Sequence, residues 1–424
     1  MLVSFDEKMR SSGRLAGLHL VVHTSCHNPG RQQERLPAMA STTNEDAAST
    51  EASEAAYRLS SISLGDDNFN AGANLNKMSQ ALAIEGDEMV FCSACGKMGD
   101  GLMGCNGCRC IRYCSAACQK KHWKAHKEWC KRIKAVLTGG ERQPPEGQYA
   151  LDMSAPPSEE AIASGLFDDP PTPPDCPICM VRLPCVAGLI TYAPCCGKKI
   201  CTACSHENAQ AFEKKNQKRA DKNLALLENA PCPFCRTPST DDDDPLIKRF
   251  EKRAEMDDPI AIFMLSSCYR NGGNGIVQDE AKALDFTRRS ADLGVNDAQF
   301  VLANDYREGK IGLDPDNNVS RMYYELDAKG GHVGARHELG CLSTMFTFNN
   351  VTRESVMHFR IAAAGGFTYS FEYLLHFFED GYIRHQDLAP SLPAIDKALL
   401  EMKSESREKL LRAIAALRHK AVHT

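Results

Sequence analysis

Apolar side chains recur at helical spacing in the C-terminal part of the chain. One face of the first predicted helix consists of apolar residues three or four positions apart: Ala261, Met264, Leu265 and Cys268. Ala281, Leu284 and Ala291 form a similar face in the segment that follows. The pattern then repeats, because Ala261 has counterparts 37 residues later at Ala298 and 37 residues later again at Ala335. Repeats of this length are typical of solenoids whose unit is a pair of helices.

A turn of small residues precedes each later copy. These turns are Ala291-Asp292-Leu293-Gly294, Ala328-Lys329-Gly330-Gly331 and Ala363-Ala364-Gly365-Gly366. Glycine readily adopts the left-handed conformation that ends a helix. The passage 291–298 follows the pattern A-x-x-G-x-x-x-A, and it resembles Sel-one-like repeats, which are relatives of the tetratricopeptide repeat. We predict such repeats over residues 257–390, with a degenerate fourth copy near Ser370 as a terminal cap.

The rest of the chain divides by composition. Residues 1–88 are polar with little periodicity, so we expect disorder there. Residues 135–174 contain five Pro-Pro or Gly-Gly pairs and are interpreted as an extended linker or tether. Residues 239–256 read as an acidic linker and a helix start. In residues 391–424 we predict a helix from Ser404 to His419 that covers the last repeat.

Charge and hydropathy exclude some classes of function. Hydrophobic residues make up 43% of the 424 residues and the net charge is −5, so we expect a buried core and no nucleic-acid partner. No apolar run is long enough to span a bilayer, so no membrane contact is expected. Leu15–Val22 follows basic residues but has no clear cleavage site, and we interpret it as a mimic of a signal peptide. Met39 offers an alternative start.

Most of the 20 cysteines lie in two clusters, between Cys92 and Cys130 and between Cys176 and Cys235. Without a convincing secretory signal, pairs of the form C-x-x-C indicate metal ligands rather than disulfides. Because thiolate ligands persist in a reducing compartment, we expect a cytoplasmic or nuclear protein. The cofactor we expect is Zn²⁺.

The first cluster contains eight candidate ligands in four pairs: Cys92 and Cys95, Cys105 and Cys108, Cys114 and Cys118, His126 and Cys130. Eight ligands are enough for two closed tetrahedral sites. The two pairs spaced four apart suit one face of a helix. Cys110 is interpreted as a bystander, and the spacing of His122 to Cys130 is too long for a one-turn pair.

Residues 89–134 resemble a MYND-type zinc finger, on the run Tyr113-Cys114-Ser115-Ala116-Ala117-Cys118-Gln119 and the later His122-Trp123-Lys124-Ala125-His126. The resemblance implies interleaved sites, one held by Cys92, Cys95, Cys114 and Cys118. The other would be held by Cys105, Cys108, His126 and Cys130. It also implies that the finger binds Pro-containing peptides of other proteins. The basic tail from Lys120 to Lys134 could meet acidic partners, but a solvated helix face is the more common case.

The second cluster contains Cys176-Pro177-Ile178-Cys179, then Cys195-Cys196 and Cys201-x2-Cys204, then Cys232-Pro233-Phe234-Cys235. In this order and spacing, residues 175–238 resemble a RING finger. The order of its pairs implies one zinc site at Cys176, Cys179, Cys201 and Cys204. The last pair, Cys232 and Cys235, needs two further ligands, and Lys198 stands where the usual pattern has histidine. Since an ammonium cannot bind zinc, Cys195 and Cys196 are our candidates. Cys185 and His206 are the alternative candidate ligands.

RING fingers of ubiquitin ligases dock a ubiquitin-conjugating enzyme. The resemblance places that role on Ile178, Pro233 and Arg236. The guanidinium of Arg236 could donate two hydrogen bonds in a fork geometry to the conjugating enzyme and ubiquitin. Alternatively, Ile178 and Pro233 only pack the zinc loops. Two functions therefore stay open: a zinc-binding adaptor for protein–protein interaction, and a RING-type ubiquitin ligase whose solenoid selects the substrate.

Two further ideas fail on the sequence. A MYND-bearing lysine methyltransferase lacks a recognisable methyl-donor domain around the finger. Asp314 to Glu325 mimics a calcium loop, but Val319 stands where the sharp turn needs glycine, so a capped turn between helices is predicted instead. The fold class we predict is therefore multi-domain, with a MYND finger, a RING-like finger and an all-α solenoid. The arrangement resembles a family common in diatoms and other algae.

Overall fold

The computed structural model describes much of the chain from Phe91 onward. The described residues are 91–140, 142–144, 149–154, 158–159, 163–184, 189–225, 227, 230–238, 246–272, 275–346 and 351–422, without the side chains of 345–346 and 414–422. The predicted disorder over 1–88, the signal-peptide mimic and the alternative start at Met39 lie outside these residues.

The first finger contains a short hairpin and a long helix. Strands β1 (Met103–Gly104) and β2 (Arg112–Tyr113) pair antiparallel. Helix α1 (Ala116–Gly139) starts at Ser115, whose hydroxyl accepts a hydrogen bond from the Cys118 amide, as N-caps do. It ends at Gly139, beyond the predicted finger boundary at residue 134, because Ile133 and Val136 continue its buried face.

The second finger has the same order of elements. Strands β3 (Ile190–Ala193) and β4 (Lys198–Cys201) form an antiparallel hairpin. Helix α2 (Thr202–Ala220) follows directly. The side chain of Asn216 donates to the carbonyl of Leu227 at 2.8 Å and accepts from its amide at 2.9 Å, which ties the returning chain to α2.

Eight helices follow over the described residues 246–379, and the six between the first and the last form three successive pairs at the predicted period. The eight are α3 (Leu246–Ala254), α4 (Pro259–Asn271), α5 (Glu280–Asp292), α6 (Asn296–Glu308), α7 (Asn317–Lys329), α8 (Val333–Phe346), α9 (Arg353–Ala364) and α10 (Thr368–Glu379). The predicted turn glycines end the second helix of each pair: φ is 81° at Gly294, 90° at Gly331 and 92° at Gly366. The predicted helical-repeat solenoid is confirmed.

Ion pairs run from one repeat to the next inside this solenoid. Arg270 on α4 donates to both carboxylate oxygens of Asp305 on α6, at 2.9 and 2.6 Å, and Asp305 is buried. One repeat later, Arg307 on α6 pairs with Glu338 on α8. Because each buried charge has a partner, these contacts fix the stacking of successive repeats.

The Asp314–Glu325 segment is a capped turn, as predicted. The carboxylate of Asp316 accepts hydrogen bonds from the amides of Asn318 and Val319 at 2.9 and 3.1 Å, and so begins α7. Its lone pairs are used by the helix end rather than by a cation.

The C-terminal segment forms α11 (His385–Leu388), α12 (Ser391–Glu401) and α13 (Glu405–Val422). Helix α12 packs on α9 and α10 and so covers the last repeat. Helix α13, which corresponds to the helix predicted from Ser404, packs instead on α2 of the second finger. Covering of the last repeat is therefore the role of α12.

Two parts of the Pro-rich linker pack on the solenoid, although most of the described linker residues are exposed. Leu166 and Phe167 are 5% exposed, and the amide of Leu151 donates to the carbonyl of Tyr382 at 2.8 Å. The prediction of an extended tether over 135–174 is therefore wrong for these residues, because Leu166 and Phe167 are buried and Leu151 is partly buried against the solenoid. Among the described residues, no helix is both long enough and apolar enough to cross a membrane.

Candidate metal centres

Four C-x-x-C turns share one backbone geometry. In each, the residue after the second cysteine has a positive φ: Gly96 (74°), Arg109 (59°), Met180 (53°) and Arg236 (61°). The amide of that residue donates to the carbonyl of the first cysteine, at 2.8 to 3.1 Å. This turn points both sulfurs of a pair to the same side, so each pair can supply two ligands to one ion.

The structure brings the predicted ligands together in four groups, within each of which the ligand atoms lie within 4.8 Å of one another. Site 1 is Cys92, Cys95, Cys114 and Cys118; site 2 is Cys105, Cys108, His126 and Cys130. Site 3 is Cys176, Cys179, Cys201 and Cys204; site 4 is Cys195, Cys196, Cys232 and Cys235. In both fingers the sites interleave along the chain.

The spacing of the ligand atoms fits zinc. Four sulfurs about 2.3 Å from a tetrahedral zinc lie about 3.8 Å apart. The Sγ–Sγ distances are 3.7 Å for Cys95 and Cys114, 3.9 Å for Cys179 and Cys201, and 3.8 Å for Cys196 and Cys232. In site 2, Nε2 of His126 lies 3.6 Å from the sulfur of Cys105 and 3.4 Å from that of Cys108.

Site 4 departs from the pattern of the other three. The turn that carries Cys195 and Cys196 has the same geometry as the C-x-x-C turns but starts at Ala193. The Ala193 carbonyl accepts a hydrogen bond from the Gly197 amide at 2.8 Å, and Gly197 has a φ of 70°. Cys196 therefore occupies the second-cysteine position of an ordinary turn, while Ala193 occupies the first. The adjacent Cys195 supplies the missing sulfur, which explains how the site forms although Lys198 replaces histidine.

The thiols of a site resist ionising together. Burial raises the pKa of Cys92, but backbone hydrogen bonds have the larger combined effect and lower this pKa to about 6. Hydrogen bonds with the thiols of Cys118 and Cys95 raise the pKa of Cys114 to about 12. In site 4, the hydroxyl and backbone of Thr237 lower the pKa of Cys235 to about 6. Ionisation of one thiol thus makes ionisation of its neighbours less favourable, and a divalent cation would stabilise all the thiolates of a site together.

The residues set aside at the sequence level lie outside these groups. Cys110 donates to the carbonyl of Cys108 at 3.2 Å, and His122 lies between the Tyr113 hydroxyl and Asp396. His206 contacts Gln210 on the same helix. Cys185 lies outside the described residues.

A glycine that the sequence analysis overlooked is required by site 2. A Cβ on Gly107 would lie 2.6 Å from the sulfur of Cys130. Its position between two ligands of a C-x-x-C pair was the available signal, since nothing larger fits between the turn and the opposing sulfur.

Sequence reasoning also missed the contacts that anchor the first finger. Arg132 on α1 donates to Glu372 at 2.7 Å and to both oxygens of Glu379, and the Trp129 ring lies 4.9 Å from that of Phe371. The lysines of the basic tail are largely exposed, as a solvated face requires. Arg132 is the exception, because its acidic partners lie on the solenoid of the same chain.

The second finger is anchored at two places. Arg253 on α3 donates to the Tyr192 hydroxyl and to Asp258, both at 2.8 Å. Arg407 on α13 is 8% exposed and donates to the carbonyls of Val181, at 3.1 Å, and Arg182. Tyr192 lies 61 positions from Arg253, and Val181 and Arg182 lie more than 200 positions from Arg407, so no local pattern predicts these contacts.

The three positions proposed for docking a conjugating enzyme are accessible to different degrees. Ile178 is 42% exposed, Arg236 is exposed and Pro233 is half-buried. Ile178 therefore lies outside the buried core of the second finger.

Comparison with known proteins identifies two of the modules. The MYND finger family matches residues 92–130, and the Sel1 repeat family matches residues 259–295 and 296–332. The histone-lysine N-methyltransferase SMYD3 of Homo sapiens is 36% identical over 90 residues, 20% of each chain. Tudor domain-containing protein 1 of Oryzias latipes is 46% identical over 49 residues, 12% of this chain and 4% of that one. The chain thus spans a fifth or less of the length of these relatives.

Among solved structures, a Sel1 repeat protein from Oxalobacter formigenes is 27% identical and covers 30% of this chain and 96% of its own, with a TM-score of 0.28. A protective antigen of uropathogenic Escherichia coli with an SLR fold is 26% identical, covering 32% of this chain and 30% of its own, with a TM-score of 0.29. On the family matches, the ligand groups and the helix pairs, this chain contains a MYND zinc finger and a solenoid that includes two Sel1 repeats.

Proposed function

We propose that the chain is a zinc-binding adaptor that joins partner proteins through its fingers and its solenoid. The observation that carries this proposal is that each site has four protein ligands. A tetrahedral ion so enclosed has no open position for a substrate or a water, so its role is structural. MYND fingers and Sel1 repeats are generally protein-interaction modules. Thiolate ligands also favour a cytoplasmic or nuclear location.

Zinc content is the first test. Metal analysis of the purified chain should give about four zinc ions, because the four groups all have the spacing of a filled site. A content near two would contradict binding by one of the fingers. Cys114→Ser and Cys232→Ser variants would show which finger had lost its metal.

Partner binding is the second test. We propose that Pro-containing peptides bind the MYND finger on its exposed apolar side chains, where Met98 is 52% and Met103 is 49% exposed. A panel of such peptides should bind the zinc-loaded chain, and Met103→Ala should weaken binding about tenfold. The matched control is Met256→Ala, since Met256 is 63% exposed but lies on the solenoid side of the chain. Equal effects of the two variants would contradict the assignment.

A second function has one observation in its favour. The exposure of Ile178 and Arg236, one in each zinc loop of the RING-like finger, fits the docking of a ubiquitin-conjugating enzyme. In a purified system with a panel of conjugating enzymes, a ligase would form ubiquitin chains that are lost in Ile178→Ala and Arg236→Ala. Leu224→Ala is the control, because Leu224 is also exposed, at 50%. Absence of chains with every enzyme would leave the adaptor function alone.

A further inference from the structure

A segment of the Pro-rich linker lies in a cleft of the solenoid as a bound peptide would. We define the linker segment as residues 164–171 and the cleft as Gly331, Arg336 and His358, from α8, α9 and the turn before α8. Leu166 and Phe167 of the segment are each 5% exposed, whereas the residues on either side of this pair are more exposed. Two adjacent anchors in an otherwise exposed stretch are typical of a docked peptide.

The contacts are specific along the segment. Arg336 donates through Nη1 to the carbonyl of Leu166, and the ring of Phe167 lies 4.8 Å from that of His358. Further on, the carbonyl of Pro171 lies against Gly331, where a Cβ would be only 2.9 Å away. The cleft therefore recognises a main-chain carbonyl, an aromatic ring and a proline in order.

Charge adds to this selectivity. Arg336 is 1% exposed, and Asp168 is the acidic group whose charge acts on it. Asp169 follows, and both aspartates are exposed. A buried guanidinium needs acceptors nearby, so the cleft favours a segment that has carboxylates next to its aromatic residue.

The linker segment does not satisfy the cleft completely. Within the described residues, Nε of Arg336 and Nδ1 of His358 are buried without a hydrogen-bond partner, and both side chains are 1% exposed. Buried polar atoms are normally paired, and leaving them unpaired weakens a complex. A ligand that supplied partners for these two atoms would therefore bind better than the segment that now occupies the cleft.

From these observations we propose that the cleft is a docking site for a partner protein, and that the linker segment closes it in cis. The partner's segment has an apolar residue, an aromatic residue, acidic residues and then proline. Because the linker is covalently attached, its effective concentration at the cleft is on the order of millimolar. A partner therefore has to displace the linker, and hydrogen bonds to the two unpaired atoms would favour that exchange.

A peptide titration tests this proposal. The probe is a fluorescein-labelled peptide with the sequence of residues 163–174, added to the zinc-loaded full chain. Phe167→Ser removes the cis anchor, so this variant should bind the peptide at least about tenfold more tightly than the wild type. Tyr149→Ser is the matched control, because Tyr149 is an aromatic residue of the same linker that is 84% exposed, and it should behave as the wild type. A peptide with alanine in place of its phenylalanine should not bind Phe167→Ser.

Two results would overturn the proposal. One is no binding by a Phe167→Ser chain that keeps the helical circular dichroism of the wild type; the other is equal binding by both chains. If Phe167→Ser does not fold, Leu166→Ala makes the same test with a smaller change. The proposal rests on the adaptor function only in expecting a partner. Since the titration contains no partner protein, opening of the cleft and the adaptor function can fail separately.

Discussion

At the scale of single residues, the sites depend on positions where a side chain does not fit. Gly107 lies between two ligands of site 2, and a Cβ there would be 2.6 Å from the sulfur of Cys130. Either the turn or that sulfur would have to move, and displacement of a ligand weakens binding of the metal. The requirement is for space, since φ at Gly107 is not positive.

We therefore expect Gly107→Ala to weaken zinc binding in the MYND finger about tenfold or more. The measurement is competition with a chelating dye, which should remove one zinc from the variant at a lower dye concentration than from the wild type. Gly104→Ala is the control, because a Cβ at Gly104 would have no neighbour within 4 Å. Identical release from the two variants would show that the turn can yield.

A second residue-scale prediction concerns a buried pair at the junction of two Sel1-like repeats. His332 Nδ1 lies 2.6 Å from Asp327 Oδ2, and Asp327 is buried. Burial raises the pKa of Asp327 to about 6. Burial lowers the pKa of His332, but the charge and hydrogen bond of Asp327, together with the charge of Asp297, raise it by more, so the pKa of His332 is raised overall. The folded state therefore holds more protons than the unfolded state from about pH 4 to above pH 6.5, and the pair's contribution to the free energy of unfolding falls as the pH rises.

The pair's contribution is the difference between the wild type and an Asp327→Asn, His332→Gln double variant. Measured by urea unfolding, this difference should decrease by about 1 to 3 kcal/mol between pH 5 and pH 8. The thiolates are present in both proteins, so their own pH dependence cancels. A difference that grows with pH would contradict the assignment.

At the scale of elements, the repeat period predicted where helices start and the ligand spacing predicted the metal-ligand groups, but the sequence did not predict the long-range packing. The starts of α4, α6 and α8 follow from the 37-residue period, because helical spacing and turn glycines are local signals. The four ligand groups follow from short turns whose geometry each C-x-x-C pair contains. The contacts of Arg132 with Glu379 and of Arg407 with Val181 join residues more than 200 positions apart, and the sequence around either arginine does not indicate these partners.

Helix α13 illustrates an element whose role only the packing reveals. Arg407 donates to three main-chain carbonyls: those of Val181, Arg182 and Met402. It thus joins the end of the solenoid to the first C-x-x-C loop of the second finger. We expect Arg407→Met to cost about 2 kcal/mol, since the buried carbonyls lose a charged donor.

Hydrogen exchange is the measurement for this variant. Amides of α13 and of residues 176–184 should exchange faster in Arg407→Met than in the wild type, while those of α6 should not change. Arg412→Met is the matched control on the same helix, because the Arg412 side chain is 78% exposed and pairs only with Glu408 among the described residues. Unchanged exchange at residues 176–184 would mean that α13 does not hold the loop.

At the scale of the whole molecule, zinc in the fingers and the stability of the solenoid are linked. The MYND finger contacts α10 through Arg132 and Trp129, and a zinc finger of this size unfolds without its metal. Removal of zinc should therefore expose the Phe371 side of α10 and leave Glu372 and Glu379 without their guanidinium partner. The effect should stop at the elements that the fingers touch, because α6 packs between α5 and α7.

We accordingly expect a high-affinity chelator to increase amide exchange in α10 and α13, with little change in α6. In an Arg132→Met variant, α10 should already exchange faster with zinc bound, and chelation should add little further change there. That non-additivity distinguishes coupling through the docked finger from a general loss of stability, which would increase exchange in α6 as well. If α10 is unaffected by the chelator in the wild type, the finger and the solenoid are energetically independent. The finger and the solenoid would then be two modules that share a chain without sharing stability.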